Sequence, residues 1–299
     1  MPLHLLFPLF SSIVFVIGML YGKKAITAGA SPWTSTFLSN FWIALFWAAV
    51  GVWHGELLPL AGWGQAAAVG ACFVAGQMFS YLAFQHGDVS VATPVFGVKV
   101  IIVAVILAVL AGEAIGARVW IGAVLATIGV GVVQVGARSK SAAGGLTARR
   151  AALTIGLALS SATSLSLFDA GLQTWGRQWG ATKFLPAAFI CGGLLSCGFL
   201  PWSDRPRRIR ELAVERPLIV GTLLIAVQAM SMSFSLGRFG DATRINIVYA
   251  LRGLWAVGLA WLLARSFGGA EARQSTAIML LRLAGAVLLT ASVVIALSA

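Results

Sequence analysis

Residues 89–112 read VSVATPVFGVKVIIVAVILAVLAG, with a single charge, Lys99, and no alternation of polar and apolar positions. About 20 such residues in a helix cross a hydrocarbon layer of about 30 Å, so the run predicts a transmembrane helix. A membrane β-barrel would instead show short strands of alternating character. Working outward, nine more runs of comparable length follow the same pattern: 3–22, 33–53, 62–85, 117–136, 151–175, 183–202, 217–238, 241–264 and 276–297. With no water to satisfy backbone groups inside lipid, ten such runs predict an all-α integral membrane bundle.

Composition agrees. The chain has 299 residues, 59% of them apolar and only 10% charged, with a mean hydropathy of +0.93. A soluble domain carries about a quarter charged residues, so the apolar excess forms a lipid-facing shell around the bundle. The longest links, 137–150 and 203–216, are too short for a soluble domain. Cys72, Cys191 and Cys197 lie in apolar runs and form no CxxC pair; His4, His54 and His86 form no metal-binding cluster. Phosphate-binding glycine loops and serine-nucleophile elbows are missing from the sequence. No catalytic residue, metal or cofactor is expected, and the net charge of +12 is assigned to cytoplasmic loops rather than to nucleic-acid binding.

The distribution of that charge sets the expected orientation. Thirteen Lys and Arg fall in the links after odd-numbered runs, clustered at 138–150 and 205–216, against five in or beside the links after even-numbered runs: Arg118, Arg177, Lys183, Arg238 and Arg244. The positive-inside rule then puts the odd links in the cytoplasm and both termini outside. The first run lacks a preceding basic residue and is followed by Lys23 and Lys24, so it reads as a retained helix and not a signal peptide.

The two halves resemble each other. Gln77-x-x-Ser80 matches Gln228-x-x-Ser231, Gly87-Asp88 matches Gly240-Asp241, and Gly122-Ala-Val-Leu-x-Thr127 matches Gly285-Ala-Val-Leu-x-Thr290. A weaker match joins Leu9–Ser12 to Leu157–Ser161. The expected organisation is a first five-helix repeat over 1–137, a basic linker over 138–150 and a second five-helix repeat over 151–299. Five crossings reverse the chain's side, so the repeats are expected to be inverted, an arrangement used by secondary transporters.

The string Phe84-Gln-His-Gly-Asp-Val-Ser-Val-Ala-Thr-Pro94, leading into an apolar run that ends at Gly112-Glu113, resembles the drug/metabolite transporter superfamily, and within it the EamA-type bacterial exporters. The resemblance covers nearly the whole chain. It departs in the second half, where Arg265-Ser-Phe-Gly-Gly-Ala-Glu271 replaces a compact Gly-Glu. It implies a bacterial inner-membrane, multi-pass carrier of small metabolites, its central cavity enclosed by the helices other than the fifth and tenth.

Ionisable residues at membrane depth are costly and mark functional sites. Lys99, Asp169, Arg252 and Arg282 lie within the runs. Lys99 and Arg252 each stand eleven residues beyond the aspartate of their Gly-Asp pair, a descent of about 16 Å that brings both to mid-depth. Tyr249, Arg252 and Trp255 share a helix face, so the aromatics could stack on a substrate ring. Substrate contacts are therefore expected at Lys99, Arg252, Tyr249 and Trp255, with Gln77, Gln228 and Asp169 as further polar candidates. The glutamines could equally bond between helices, and Asp169 could neutralise a cation. The Gly18/Gly22 and Gly51/Gly55 pairs read as helix packing, Pro94 as a kink and Arg282 as a snorkelling side chain.

The function these features favour is a secondary exporter or exchanger of a small anionic or zwitterionic metabolite working by alternating access. The alternatives are a lipophilic-cation exporter, kept open by Asp169, and a flippase for polyprenyl-phosphate lipids. Partners are expected to be the metabolite and the bilayer, with the chain a monomer or homodimer.

Overall fold

A computed structural model describes residues 2–86, 95–135, 148–256, 258 and 276–298. These residues build helices, with no strand among them: α1 (Leu6–Thr27), α2 (Pro32–His54), α3 (Trp63–His86), α4 (Lys99–Leu110), α5 (Ala117–Val135), α6 (Ala148–Trp179), α7 (Ala181–Ser196), α8 (Pro206–Glu211), α9 (Glu215–Phe239), α10 (Ala242–Tyr249) and α11 (Thr276–Leu297). Short 3-10 turns cover Leu3–Leu5, Leu60–Gly62 and Cys197–Trp202. Among the described residues, six segments are long and apolar enough to cross a membrane: Leu3–Thr27, Pro32–His54, Leu60–Ala83, Ala151–Trp179, Ala181–Trp202 and Glu215–Phe239. Shorter apolar helices occupy Lys99–Leu110, Ala117–Val133 and Leu283–Leu297. The Gly87-Asp88 pair, Pro94 and the Arg265–Glu271 stretch lie outside the described residues, as does the Arg282 side chain.

The chain is a multi-pass membrane protein with its apolar surface turned outward. On α11, Leu280, Leu283, Val287 and Val294 are each 61% exposed and repeat at helical spacing, a stripe that suits lipid.

Two compact units form, divided within α3 and within α6. Unit A comprises Pro2–Gln77 and Leu167–Asp241; unit B comprises Met78–Ser166 and the chain from Ala242 onward. Each unit takes segments from both sequence halves.

In unit A, α1 and α9 run antiparallel and are tied by hydroxyls. Ser11 Oγ donates to the Gln228 carbonyl (3.0 Å), Ser231 Oγ to that of Phe7 (3.3 Å) and Ser235 Oγ to that of His4 (3.2 Å). Farther along, a Cβ on Gly221 would stand 2.9 Å from the Gly22 nitrogen, so the backbones meet there. Helices α2 and α7 pack reciprocally: a Cβ on Gly51 would meet Pro186 at 3.1 Å, and one on Gly193 would meet Ala44 at 2.8 Å. Gly51 stands to Gly193 as Ala44 stands to Pro186, by the same shift along the chain. Midway, Trp47 stacks on Phe189, related by that shift too, with ring centres 6.2 Å apart and planes 7° apart. Gly55 differs from the packing expected of it: it caps α2 in the left-handed conformation (φ 66°), a position that favours glycine because it carries no Cβ.

Unit B repeats the device with α5 and α11. A Cβ on Gly122 would lie 3.0 Å from both the Ser292 carbonyl oxygen and Ala296 Cβ, while one on Gly285 would lie 3.0 Å from the Gly129 oxygen and 2.8 Å from the Val133 nitrogen. Gly122 stands to Gly285 as Gly129 to Ser292 and Val133 to Ala296. The duplicated Gly-Ala-Val-Leu-x-Thr motif is thus the seam of two antiparallel helices, each glycine receiving the other's backbone.

This seam can be tested by substitution. Gly285→Ala, which drives a methyl into backbone, is expected to destabilise by about 1–3 kcal/mol. Gly131→Ala on α5, where nothing lies within 4 Å, is expected to hold or raise the Tm, since alanine is the better helix former. Thermal unfolding in detergent decides; equal effects at both positions would refute the seam.

Candidate functional site

Unit B contains one structural feature twice. Approaching Lys99, the helical ladder tightens from four-residue to three-residue bonds: Val98 N–H donates to Val95 O (3.0 Å), Val100 to Gly97 (3.4 Å) and Ile101 to Val98 (3.0 Å), before Ile102 also returns to Val98 (3.0 Å). Approaching Arg252, Leu251 donates to Val248 (3.1 Å), Gly253 to Ala250 (3.1 Å), Leu254 to Leu251 (2.9 Å) and Trp255 also to Leu251 (3.1 Å). Bond for bond, the second set is the first shifted along the chain, with Lys99 and Arg252 in the same place. Each cation is the first helical residue after the interruption.

The interruptions share an apolar floor. Val100 from α4, Ile247 from α10 and Ala250 just beyond it belong to one buried cluster, with Ile101 and Leu251 packed against it. Two hydroxyls lie within reach of carbonyls near the first interruption, Thr127 Oγ1 at 3.3 Å from Gly97 O and Ser166 Oγ at 3.2 Å from Lys99 O, each sharing its hydrogen with a closer carbonyl of its own helix, Ala123 O (3.0 Å) and Ala162 O (2.8 Å). The sequence counterpart of Thr127, Thr290, makes the same bond within its own helix, to Ala286 O (2.9 Å). At the far end of α4, Gly112 (φ 66°) stops the helix and the Glu113 N–H returns to Leu107 O (3.1 Å). That gives the Gly112-Glu113 pair a capping role.

The aromatic neighbours are ordered around the second cation. The Arg252 guanidinium carbon lies 4.4 Å from the Tyr249 ring centre, a cation–π distance, and Tyr249 is itself buried. Tyr249 thus cradles Arg252, a use of its ring that the expected stacking on substrate did not include. Trp255 is half-buried, as are Lys99 and Arg252. Phe96 stands three residues before Lys99 as Tyr249 does before Arg252.

The other three candidates belong to unit A. Asp169 is 1% exposed and Gln228 is buried; Gln77 accepts a hydrogen bond from Asn40 Nδ2 at 2.9 Å. Asn40, 1% exposed, was missed in the sequence, although Thr34, Ser35, Thr36, Ser39 and Asn40 make one end of α2 polar and all are buried. Its Oδ1 has no hydrogen-bond partner among the described residues. The structure therefore brings Lys99, Tyr249, Arg252 and Trp255 into one unit and Gln77, Asp169 and Gln228 into the other.

Comparison with known proteins fits this frame. Residues 3–135 match the EamA-like transporter family. A solved structure titled "Crystal structure of protein" superposes with a TM-score of 0.67 at 18% identity, covering 98% of this chain and 96% of that one. At that identity the likeness speaks for the fold alone. No curated protein matches the chain. The EamA-like match spans α1 to α5, and so includes the first interruption and Lys99.

The Asn40–Gln77 bond offers a check on unit A. Asn40→Leu and Gln77→Leu are each expected to destabilise, and the double variant by less than their sum, a coupling of about 1 kcal/mol. Strict additivity in detergent unfolding would show that the amides do not hold each other in the folded protein.

Proposed function

We propose that this EamA-like protein is a secondary transporter of a small anionic or zwitterionic metabolite, and that Lys99 and Arg252 engage its negative charge. The observation carrying this reading is the duplicated interruption with a cation at the same position in both copies. A helix interrupted at membrane depth aims a helix start at a ligand, the pattern by which many carriers hold anions. Lys99 opens α4, where the helix dipole adds positive potential to the ammonium. Arg252 brings a planar fork of donors suited to carboxylate or phosphate, and the ring of Tyr249 beneath it limits the orientations that fork explores.

The mechanism that suits this arrangement is alternating access by two inverted five-helix repeats, residues 1–137 and 151–299, crossing ten times around a basic linker at 138–150. Supporting it are the reciprocal seams: α2 with α7 and α5 with α11 each pair one element with its sequence counterpart, antiparallel, as an in-plane two-fold relation requires. Small residues at these seams let paired helices slide with little side-chain rearrangement. The cell membrane expected to hold the protein is a bacterial inner membrane.

Transport into proteoliposomes tests the reading. Against a panel of carboxylate and phosphate metabolites, Lys99→Ala and Arg252→Ala are each expected to cut uptake by at least about tenfold, the usual scale for losing a charged hydrogen bond. Arg252→Lys is expected to retain part of the activity, since the charge remains but the fork does not. Undiminished uptake in both alanine variants would rule the proposal out.

A further inference from the structure

One end of unit A gathers more positive charge than its own carboxylates use. Because α1 and α9 are antiparallel, Lys23 and Lys24 near the end of α1 come to the same end as Arg216 in the first turn of α9. The link that precedes α9 is anchored there as well: Ile209 and Leu212 pack with Ala25, Ala30, Val214 and Leu218. Asp204 fastens the start of that link to the start of α2. Its carboxylate accepts from the Ser31 N–H (2.5 Å) and the Thr34 hydroxyl (3.1 Å), and its own N–H donates to Thr34 Oγ1 (2.7 Å). The arginine-rich link is a fixed strap, with α8 presenting Ile209 inward and its arginines outward.

The charge count on this surface is lopsided. Three carboxylates are present, and each is engaged: Asp204 by Arg208 (3.3 Å), Glu211 by Arg207 (2.9 Å) and Glu215 by Arg210 (3.7 Å). Lys23, Lys24, Arg205 and Arg216 are exposed and form no ion pair among the described residues. Beside the Asp204 anchor, Trp33 and Trp202 lie with ring centres 6.3 Å apart, and Trp202 is 63% exposed. Tryptophan at the end of an apolar helix settles at the level of lipid headgroups, which places the four cations where headgroup phosphates lie.

We infer that this surface binds anionic phospholipid headgroups, the phosphates meeting Lys23, Lys24, Arg205 and Arg216 while the tryptophans rest at the glycerol level. Charge complementarity selects the acidic lipid over the neutral one, and the exposed Trp202 beside the cations favours a headgroup over an acidic macromolecule in solution. The inference stands apart from the transport reading, since it uses neither Lys99 nor Arg252.

Native mass spectrometry of the full chain, released from vesicles of mixed phosphatidylcholine and phosphatidylglycerol, reads the bound lipid. Phosphatidylglycerol adducts are expected to exceed phosphatidylcholine adducts, with the excess shrinking in high salt. Replacing Lys23, Lys24, Arg205 and Arg216 with glutamine is expected to reduce the excess on the order of fivefold per charge removed. Should that variant fail to fold, Arg205→Gln with Arg216→Gln decides in the same way, because both are exposed and lie outside every ion pair described above. Equal retention of the two lipids by the unmodified chain, or an excess unchanged in the folded variant, would overturn the assignment.

Discussion

Inside a layer without water, every peptide N–H and C=O has to find its partner within the protein. An apolar helix meets that demand along its own length, and any departure from the regular ladder must be satisfied some other way. Two departures occur in unit B, around 95–102 and 248–255, and they share the same bonds in the same order. The three-residue bonds keep the N–H groups satisfied while shifting the chain's direction and the register of the carbonyls. Hydroxyls of Thr127 and Ser166 lie within reach of carbonyls of the first departure while also bonding within their own helices. The cost of interrupting a helix at depth is thereby spread over neighbouring segments, which ties the placement of Lys99 to the packing of α5 and α6.

The glycine seams answer to the same constraint. Where lipid replaces water, helices gain little from burying apolar side chains, and close backbone approach supplies the attraction. At α5 with α11 and at α2 with α7, approach occurs at positions that are counterparts in the two sequence halves, and each partner both offers and receives a small residue. A reciprocal contact of this kind is self-consistent under exchange of the two helices, as in an isologous interface. The duplicated motif at Gly122 and Gly285 is repeated because one geometry serves both sides of a single seam.

Much of this was legible in the sequence, and the reasons for the remainder are local. Long apolar runs announced α1, α2, α3, α6, α7 and α9, because length and hydropathy suffice for a spanning helix. The equal spacing of Lys99 and Arg252 from their Gly-Asp pairs signalled equivalence. The interruptions did not show: Gly97 hints at the first, but Ala250 and Leu251 are good helix formers, and tertiary packing overrides their propensity. The strap's short helix was hidden in a link that reads as a run of charge. Only Pro206 at its first turn and the apolar Ile209 and Leu212 foreshadow it. Gly55 was taken for a packing residue because a Gly-x-x-x-Gly spacing cannot distinguish a close approach from a helix stop. The role of Asn40 escaped because a lone amide in an apolar run does not name its partner, and Gln77 lies on a different helix.

The pairing of lysine with arginine at matched positions says which part of the site the fold constrains. If the repeats had to present identical chemistry, the same side chain would stand in both, as glycine does at 122 and 285. Instead the backbone interruption is held to the same pattern while the cation and the aromatic residue three places before it (Phe96 or Tyr249) differ. Backbone geometry is set by packing that both copies share, so it resists change; side chains facing the interruption answer to what each copy touches. The two copies thus keep one backbone frame and present two unlike cations on it.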